Sequence, residues 1–313
     1  FRSDTLPDEE TIERVLTQLI QPWKDQVEMH LQDQAPDILS QYPNIIDKIP
    51  SHYRVKTKPA SAVRDLTKLL SLSPSNPIAF ELFSFDFPKT SDLAGKASML
   101  LVYHKTKLNL TNILPILHHC GIHVIDQITS RFGDSHTTIG FIHAFRILSK
   151  DLKKLQEDRI KERLIEALTC VFNHTLENDP LNQLILTTNM TPSNIFLLQA
   201  LRNYCHQISQ GGTSKTHIND AIIRYPAFAE HLTQRLAVQF KPKLSKSQRQ
   251  KQLNALSSKI KRTLKSVSSI SDDQLLRKLD SIVHACLRCN LFIKQADEPL
   301  SFKFDCDKIM GMP

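Results

Sequence analysis

The spacing of apolar residues changes twice along this 313-residue chain, and that change constrains the fold more than any other feature. From residue 1 to about 75, apolar side chains recur every three or four positions, as they do on one face of a helix. From about 78 to 148 they form short runs typical of strands, and from 149 onward the helical spacing returns. We therefore predict an α+β protein that is mostly helical and contains one small α/β module.

The central module has the order strand, strand, helix, strand, strand. This order fits a sandwich of roughly 70 residues, similar to half-open ferredoxin-like or ACT-type regulatory modules. Thr111 is expected to cap the helix N-terminus, Pro115 to lie near its first turn, and Gly121 to adopt the left-handed conformation after its last residue. The predicted elements are strands 79–87 and 97–104, helix 111–120, and strands 122–128 and 137–148.

Helices on either side are predicted from caps and apolar stripes. Pro7 with three following acids favours a helix start, and Thr191 followed by Pro192 has the sequence of an N-cap and first helical residue. Ser271-x-x-Gln274 matches a capping box, so we predict a helix from 271 to 292. The other predicted helices are 60–72, one along the seam from Ile160 to Phe172, 195–208, and one that begins at Pro226.

The two ends of the sequence suggest a longer polypeptide. Leu300 to Phe304 alternates like a strand, and no later strand follows that could pair with it. Residue 1 is Phe rather than an initiating Met. We therefore expect the chain to be the front part of something larger.

Composition excludes several classes of protein. No apolar run approaches the roughly 20 residues of a membrane span, and no secretory leader is visible. The six cysteines are scattered, which suits reduced thiols in the cytoplasm. Only seven glycines occur and no phosphate-binding glycine motif is present; Gly211-Gly212 is interpreted as a helix stop rather than a phosphate cradle. Ser, His and Asp occur in no local arrangement that indicates catalysis.

A basic tract follows residue 240. No acidic residue occurs between Glu230 and Asp272, whereas nine lysines and arginines fall between 241 and 265. These nine positive charges are enough to account for the whole net charge of the chain, which is +8. The tract could bind the phosphate backbone of a nucleic acid. We favour a solvated connector between helices, because no aromatic residue after Phe240 offers a stacking platform.

Two groups of residues have the chemistry of metal ligands. Cys286 and Cys289 form a C-x-x-C pair with Cys306 as a possible third ligand, but on a helix two core thiols are the favoured interpretation. His118, His119 and Cys120 lie near His123, although the first two end a helix and the last begins a strand, so their side chains need not converge. No metal site is predicted from either group.

The second half of the chain contains six phrases in a distinctive order and spacing: 176–186, 197–207, 225–229, 273–277, 285–290 and 300–305. Together they resemble one family, the large multidomain bacterial NAD-specific glutamate dehydrogenases, in the part immediately before the catalytic domain. Residues 108–126 and 141–145 resemble the last ACT-like module of that family, and Trp23 with 49–53 fits more loosely. The resemblance covers most of the chain and is strongest after residue 175.

The resemblance implies a parent enzyme that oxidises L-glutamate with NAD and water to 2-oxoglutarate, ammonium and NADH. Its catalytic residues and NAD loop would lie after Pro313, so the fragment is expected to bind no NAD and to be inactive. The expected partners are its own catalytic domain and sibling subunits of a homo-oligomer, with an amino-acid effector near Asn109, Thr111 and Gly121; neither a membrane nor nucleic acid is expected. The alternative is a free-standing helical adaptor that uses residues 241–265 on nucleic acid or acidic partners.

Five segments follow from these interpretations. The first is helical, the second is the ACT-like module, and the third is a helical domain. A basic connector and a helix with a strand, leading into an absent catalytic domain, complete the chain. The predicted boundaries are 1–75, 76–148, 149–240, 241–270 and 271–313.

Overall fold

The computed structural model describes residues 22–84, 97–148, 157–209, 212–294 and 298–312. The helix predicted to begin at Pro7 and the end of the first predicted strand, 85–87, lie outside these residues. The chain divides into two compact units. The sheet unit comprises Phe1–Phe83, Met99–Asn109 and Asp126–Arg146, and the helical unit comprises Ser84–Ser98, Leu110–Ile125 and Ile147–Pro313.

The α+β fold class is confirmed, because the chain is mostly helical and contains one small four-stranded sheet. The first part contains α1 (Trp23–Gln34), α2 (Pro36–Gln41), α3 (Ser51–Lys56), α4 (Pro59–Leu70), β1 (Ile78–Ser84), β2 (Ala97–His104), α5 (Leu110–His119), β3 (His123–Gly133) and β4 (Thr138–Leu148). The second contains α6 (Asp158–Phe172), α7 (Leu184–Thr187), α8 (Pro192–Gln207), α9 (Lys215–Arg224), α10 (Pro226–Phe240), α11 (Lys246–Lys265), α12 (Ile270–Ala285), β5 (Cys286–Cys289) and β6 (Phe302–Phe304). Short 3₁₀ turns lie at Ile46–Lys48, Pro180–Gln183 and Cys306–Lys308.

The sheet unit is built on a four-stranded antiparallel sheet of order β1-β2-β4-β3. Alternate side chains of these strands, among them Tyr103, Phe132 and Ile142, point into one apolar core. The N-terminal helices close this core with residues that include Leu31 and Leu66. Apolar burial of this kind is the main stabilising contribution of such a layer.

Helix α5 ends as predicted but begins earlier. Gly121 has φ +76°, its N–H donates to His118 O, and the N–H of Ile122 donates to Leu117 O. These two bonds form a Schellman motif, in which glycine adopts the left-handed conformation without a Cβ clash. The prediction that Thr111 is the N-cap was wrong, because α5 begins at Leu110 and Thr111 is its second residue. Pro115 is therefore inside the helix, where it removes one backbone bond, rather than near the first turn.

The caps of the helical unit agree with prediction at one helix and differ at another. Thr191 accepts from the N–H of Asn194 and Asn194 reaches back, so α8 begins with a capping box and Pro192 as its first residue. The N-cap of α12 is Ser269, which accepts from the N–H of Asp272, so the box predicted at Ser271 was wrong. Serine is a favoured N-cap residue, so Ser269 and Ser271 were both possible caps, and the local sequence does not show which of them begins the helix.

The C-terminal part contains two further corrections. The predicted helix 271–292 ends at Ala285, and Cys286–Cys289 is a strand. This strand pairs antiparallel with β6, so the partner of the 300–304 strand precedes it in sequence rather than being missing. The tract interpreted as a connector contains the 20-residue helix α11, which begins with a capping box between Ser245 and Gln248.

Candidate functional site

The predicted effector residues lie at separate positions. Asn109 is exposed and belongs to the sheet unit, whereas Thr111 and Gly121 belong to the helical unit. Thr111 and Gly121 stand at opposite ends of α5, about 15 Å apart at 1.5 Å per residue. An effector bound near Thr111 would therefore occupy a different site from one bound near Gly121.

Gly121 lies where the end of α5 packs on the turn before α7. A Cβ added at Gly121 would come within 3.1 Å of Leu186 Cδ1 and 3.3 Å of Gln183 Cβ. Nearby, His119 Nδ1 is 2.8 Å from Asn178 Oδ1. Residue 121 is therefore glycine for two reasons: its φ angle is positive, and a side chain would crowd Leu186 and Gln183. The absence of a side chain lets the end of α5 pack closely on this part of the helical unit.

A buried ion pair forms the centre of the helical unit. Arg202 of α8 is 1% exposed, and its guanidinium donates to Asp179 Oδ2 at 2.7 Å and to Asn219 Oδ1 at 2.8 Å. Asp179 also accepts from the N–H of Leu181 at 2.9 Å, which caps the 3₁₀ turn. Within the described residues, Arg202 Nε has no hydrogen-bond partner. One side chain thus ties the turn after α6 to α8 and α9.

Sequence reasoning missed the role of this pair. Residues 178–180 were considered only as part of the phrase 176–186, although an Asp before Pro is also the pattern of an N-cap and first helical residue. Nothing in the sequence signals that Arg202 is buried, because arginine is rarely fully buried unless it is paired across the fold.

The sheet unit holds a polar cluster between α4 and the first two strands. The Tyr53 hydroxyl donates to Asp65 Oδ2 at 2.5 Å, and the Tyr103 hydroxyl is 2.9 Å from both Asp65 Oδ1 and Glu81 Oε2. Arg64 and Lys68 balance the two carboxylates at 2.8 and 3.1 Å. Burial, followed by the charges of Asp65 and Glu81, raises the pKa of Tyr103, so both tyrosines stay protonated donors.

His143 of β4 is fully buried in a neutral form. Its Nε2 accepts from the N–H of Leu108 at 3.3 Å, and its Nδ1 lies 2.7 Å from Gln127 Nε2 and 3.1 Å from Thr129 Oγ1. Burial lowers the pKa of His143 to about 4, and His104 and Lys107 add to the shift. The shift is downward because burial disfavours the charged form of the ring.

The outer side of α11 is strongly basic. We call Lys251, Lys259, Lys261, Arg262 and Lys265 the basic face; all five are exposed. Among the described residues, none of them has an ion-pair partner. Arg249 differs, because it donates to the carbonyls of Gln239 and Lys241 and closes the turn before α11.

The described residues do not gather the ligands of a metal. In this part of the chain, no three His, Cys, Asp or Glu side chains are grouped as a metal site. The rings of His118 and His123 do meet, with centroids 5.3 Å apart. Burial raises the pKa of the Cys286 thiol to about 12, with Cys289 as a second cause, and this disfavours the thiolate that a metal binds.

An NAD pyrophosphate also finds no fitting cradle among these residues. Such a group is bound by a glycine-rich turn between a strand and a helix N-terminus. Within the described residues, the turn that leads from a strand to a helix is 105–109, between β2 and α5. Its sequence, Lys-Thr-Lys-Leu-Asn, contains no glycine. We therefore assign no NAD-dependent reaction step to the described residues.

Two family models match the chain. One, described as the glutamate dehydrogenase ACT3 domain, matches residues 84–160, and the other, described as glutamate dehydrogenase helical motif 3, matches residues 176–242. Both models describe domains of glutamate dehydrogenases. The resemblance predicted from the sequence phrases is confirmed, and Arg202, Asp179 and Asn219 all lie within the glutamate dehydrogenase helical motif 3.

Curated relatives with similar sequences are named NAD-specific glutamate dehydrogenase. The Halomonas elongata protein is 24% identical over 312 residues, which are 96% of this chain and 19% of that protein. The Pseudomonas aeruginosa protein is 26% identical over 314 residues, again 96% and 19%, and the Mycobacterium tuberculosis protein is 23% identical over 246 residues, 77% and 15%. The chain therefore spans about a fifth of the length of the Halomonas elongata and Pseudomonas aeruginosa proteins. Among the described residues, no helix has the length and apolar character to cross a membrane.

Proposed function

We propose that this chain is a non-catalytic, regulatory and architectural segment of an NAD-dependent glutamate dehydrogenase. The parent reaction would convert L-glutamate, NAD and water to 2-oxoglutarate, ammonium and NADH. The observation that carries the proposal is the succession of an ACT3 domain and a helical motif 3 in one chain. The lack of a glycine turn between β2 and α5 supports a cofactor site outside the segment.

The proposed partners are the catalytic domain of the same polypeptide and sibling subunits. Strand β3 is an edge of the sheet, and Ile128 on it is 43% exposed. An unpaired edge strand with apolar exposure favours pairing with another chain. All six cysteines are free thiols, which supports a reducing compartment, the cytoplasm.

The decisive experiment compares the 1–313 polypeptide with a longer polypeptide from the same gene. We expect glutamate-dependent NADH formation, followed by absorbance, from the longer one alone. Calorimetry with NAD should give heat for the longer polypeptide and none for 1–313. Turnover by 1–313 alone would contradict the proposal, as would a longer polypeptide that is inactive on glutamate.

The regulatory part is tested with amino acids. Calorimetric titration of the longer polypeptide with each amino acid should give heat for at least one effector. Asn109→Ala or Thr111→Ala should then weaken binding if the effector lies before α5, and Gly121→Ala should do so if it lies at the turn after α5. Absence of heat with every amino acid would remove the effector from the proposal while leaving the architectural role.

A second candidate function is an adaptor that uses the basic face on nucleic acid or acidic partners. The observation that favours it is the set of exposed cations without ion pairs on α11. Binding to duplex DNA should then weaken steeply with salt, with a slope that falls by about 0.9 for each phosphate contact removed. Lys251→Glu with Arg262→Glu should abolish such binding, and unchanged binding of the double variant would exclude the basic face.

A further inference from the structure

The part of the helical unit around β5 and β6 exposes large apolar side chains. Twelve large apolar residues are exposed among the described residues, and four of them fall between 287 and 310. Leu287 is 51%, Phe292 43% and Ile293 81% exposed. We call Leu287, Phe292 and Ile293, with the partly buried Phe240 and Phe302, the β5–β6 surface. Single exposed apolar residues are normal on a protein surface, whereas clusters of them mark sites of contact with another protein or domain.

The local structure holds these side chains outward. The pairing of β5 with β6 skips between Cys286 and Arg288, so Leu287 is bulged and has no cross-strand partner. The strand pair is anchored through Phe304, which stacks on Tyr204 of α8 with ring centroids 4.5 Å apart and on Phe302 with ring centroids 5.4 Å apart. The exposed residues therefore stand on a fixed support.

The two ends of the loop between the strands are joined by hydrogen bonds. The Asn290 side chain donates to Pro299 O at 2.9 Å and accepts from the N–H of Ser301 at 2.8 Å. Its backbone N–H donates to Ser301 O as well. Because Asn290 closes the loop from both sides, Phe292 and Ile293 follow a restrained residue rather than a free one.

Two shallow grooves flank this surface, and the charged residues described along them are all basic. One, of about 490 Å³, is lined by residues that include Phe240, Ile293 and Phe302, together with Arg288 and Lys303. The other, of about 450 Å³, includes Phe292, Lys241 and Lys259. Among the residues that the structure describes, no carboxylate lines either groove. The fitting partner thus has an apolar centre and an acidic rim.

We propose that the β5–β6 surface docks the dehydrogenase domain of the same polypeptide, through apolar residues ringed by carboxylates on that domain. The inference rests on the proposed function. The curated relatives are about five times as long as the matched segment, so most of a protein of this kind lies outside this chain. A two-stranded sheet is marginal by itself, and burial of its open side by a domain would stabilise it.

The test uses the full-length polypeptide with a photoreactive side chain at one position. Ile293→p-benzoyl-Phe should, on illumination, cross-link to a peptide that follows residue 313 in the same polypeptide, as identified by mass spectrometry. Ile270→p-benzoyl-Phe is the matched control, because Ile270 is 78% exposed in the same unit but outside the surface. The control should give at least tenfold less of this cross-link.

The charge part is tested in the same background. Arg288→Glu with Lys303→Glu should reduce the cross-link at 293 at least tenfold, whereas Lys251→Glu with Lys261→Glu on the basic face should leave it unchanged. Cross-links from 293 only to a sibling copy of residues 1–313, or none at all, would overturn the docking proposal. Glutamate-dependent NADH formation is measured on the same samples: activity without the cross-link refutes docking alone, and the cross-link without activity refutes the proposed function alone.

Discussion

Arg202 of the helical unit and His143 of the sheet unit are both buried, but the fold accommodates them in opposite ways. In the helical unit, Arg202 enters the core as a cation and is matched by Asp179 and Asn219. In the sheet unit, His143 enters the core as a neutral ring, because its Nε2 faces a backbone donor and its neighbours include His104 and Lys107. A buried group is tolerated either by pairing its charge or by losing it. The helical unit should therefore respond to removal of a partner, and the sheet unit to pH.

The largest effect is expected at Arg202. Arg202→Met keeps much of the side-chain volume but leaves the Asp179 carboxylate, which is 5% exposed, without its cation. Breaking one partner of a buried pair typically costs about 3–5 kcal/mol. Urea unfolding should show a loss of this size, and hydrogen exchange should rise within residues 176–242.

The matched control is Arg262→Met. Arg262 is exposed on α11 and has no ion-pair partner among the described residues, so its replacement should change the free energy of unfolding by less than about 0.5 kcal/mol. If Arg202→Met cost no more than this control, the pair would not hold the helical unit together.

The pH response of the sheet unit comes next. The pKa of His143 is about 4 in the folded chain and about 6.5 in an unfolded one, so the unfolded state takes up the proton first as pH falls. Stability present above pH 6.5 should decline between about 6.5 and 4 and change no further through this group below 4. The shift corresponds to roughly 3 kcal/mol.

His143→Gln tests this sign, because glutamine stays neutral throughout the range. Thermal unfolding from pH 7.5 to 4 should show a shallower decline for the variant than for the unchanged protein. Parallel curves for the two proteins would mean that His143 already takes up a proton in the fold, and the contrast with Arg202 would fail.

Sequence reasoning predicted what depends on local spacing and missed what depends on distant partners. Strand 97–104, the helix along the Ile160 seam and the left-handed Gly121 follow from local patterns, and the structure has them. Cys286 and Cys289 continued a helical spacing but form a strand, because their partner is β6, more than ten residues away. The cross-fold contacts of Arg202 and His143 have no local signal for the same reason.

Replacing each of two glycines by alanine should have a smaller effect on the free energy of unfolding, and comparing the two losses distinguishes backbone strain from crowding of the added Cβ. Gly121→Ala meets both a φ of +76° and Leu186 at 3.1 Å, whereas Gly311→Ala meets a φ of +65° and nothing within 4 Å. The left-handed conformation costs about 1–2 kcal/mol with a Cβ. Chemical unfolding should therefore show a loss of about that size for Gly311→Ala and a greater one for Gly121→Ala; equal losses would mean that Leu186 moves aside freely.

The smallest effect is expected at the capping box that begins α11. Ser245 Oγ accepts from the N–H of Gln248, and Gln248 Oε1 accepts from the N–H of Ser245, each at 3.2 Å. Ser245→Ala should cost about 1 kcal/mol, and this loss should be independent of pH between 4 and 7.5 because no group of the box titrates there. Ser247→Ala, two residues further along and without a cap role, is the control. A pH-dependent loss at Ser245 would show that a group titrating in this range contributes to the start of α11, and the helical unit would then share the pH sensitivity assigned to the sheet unit.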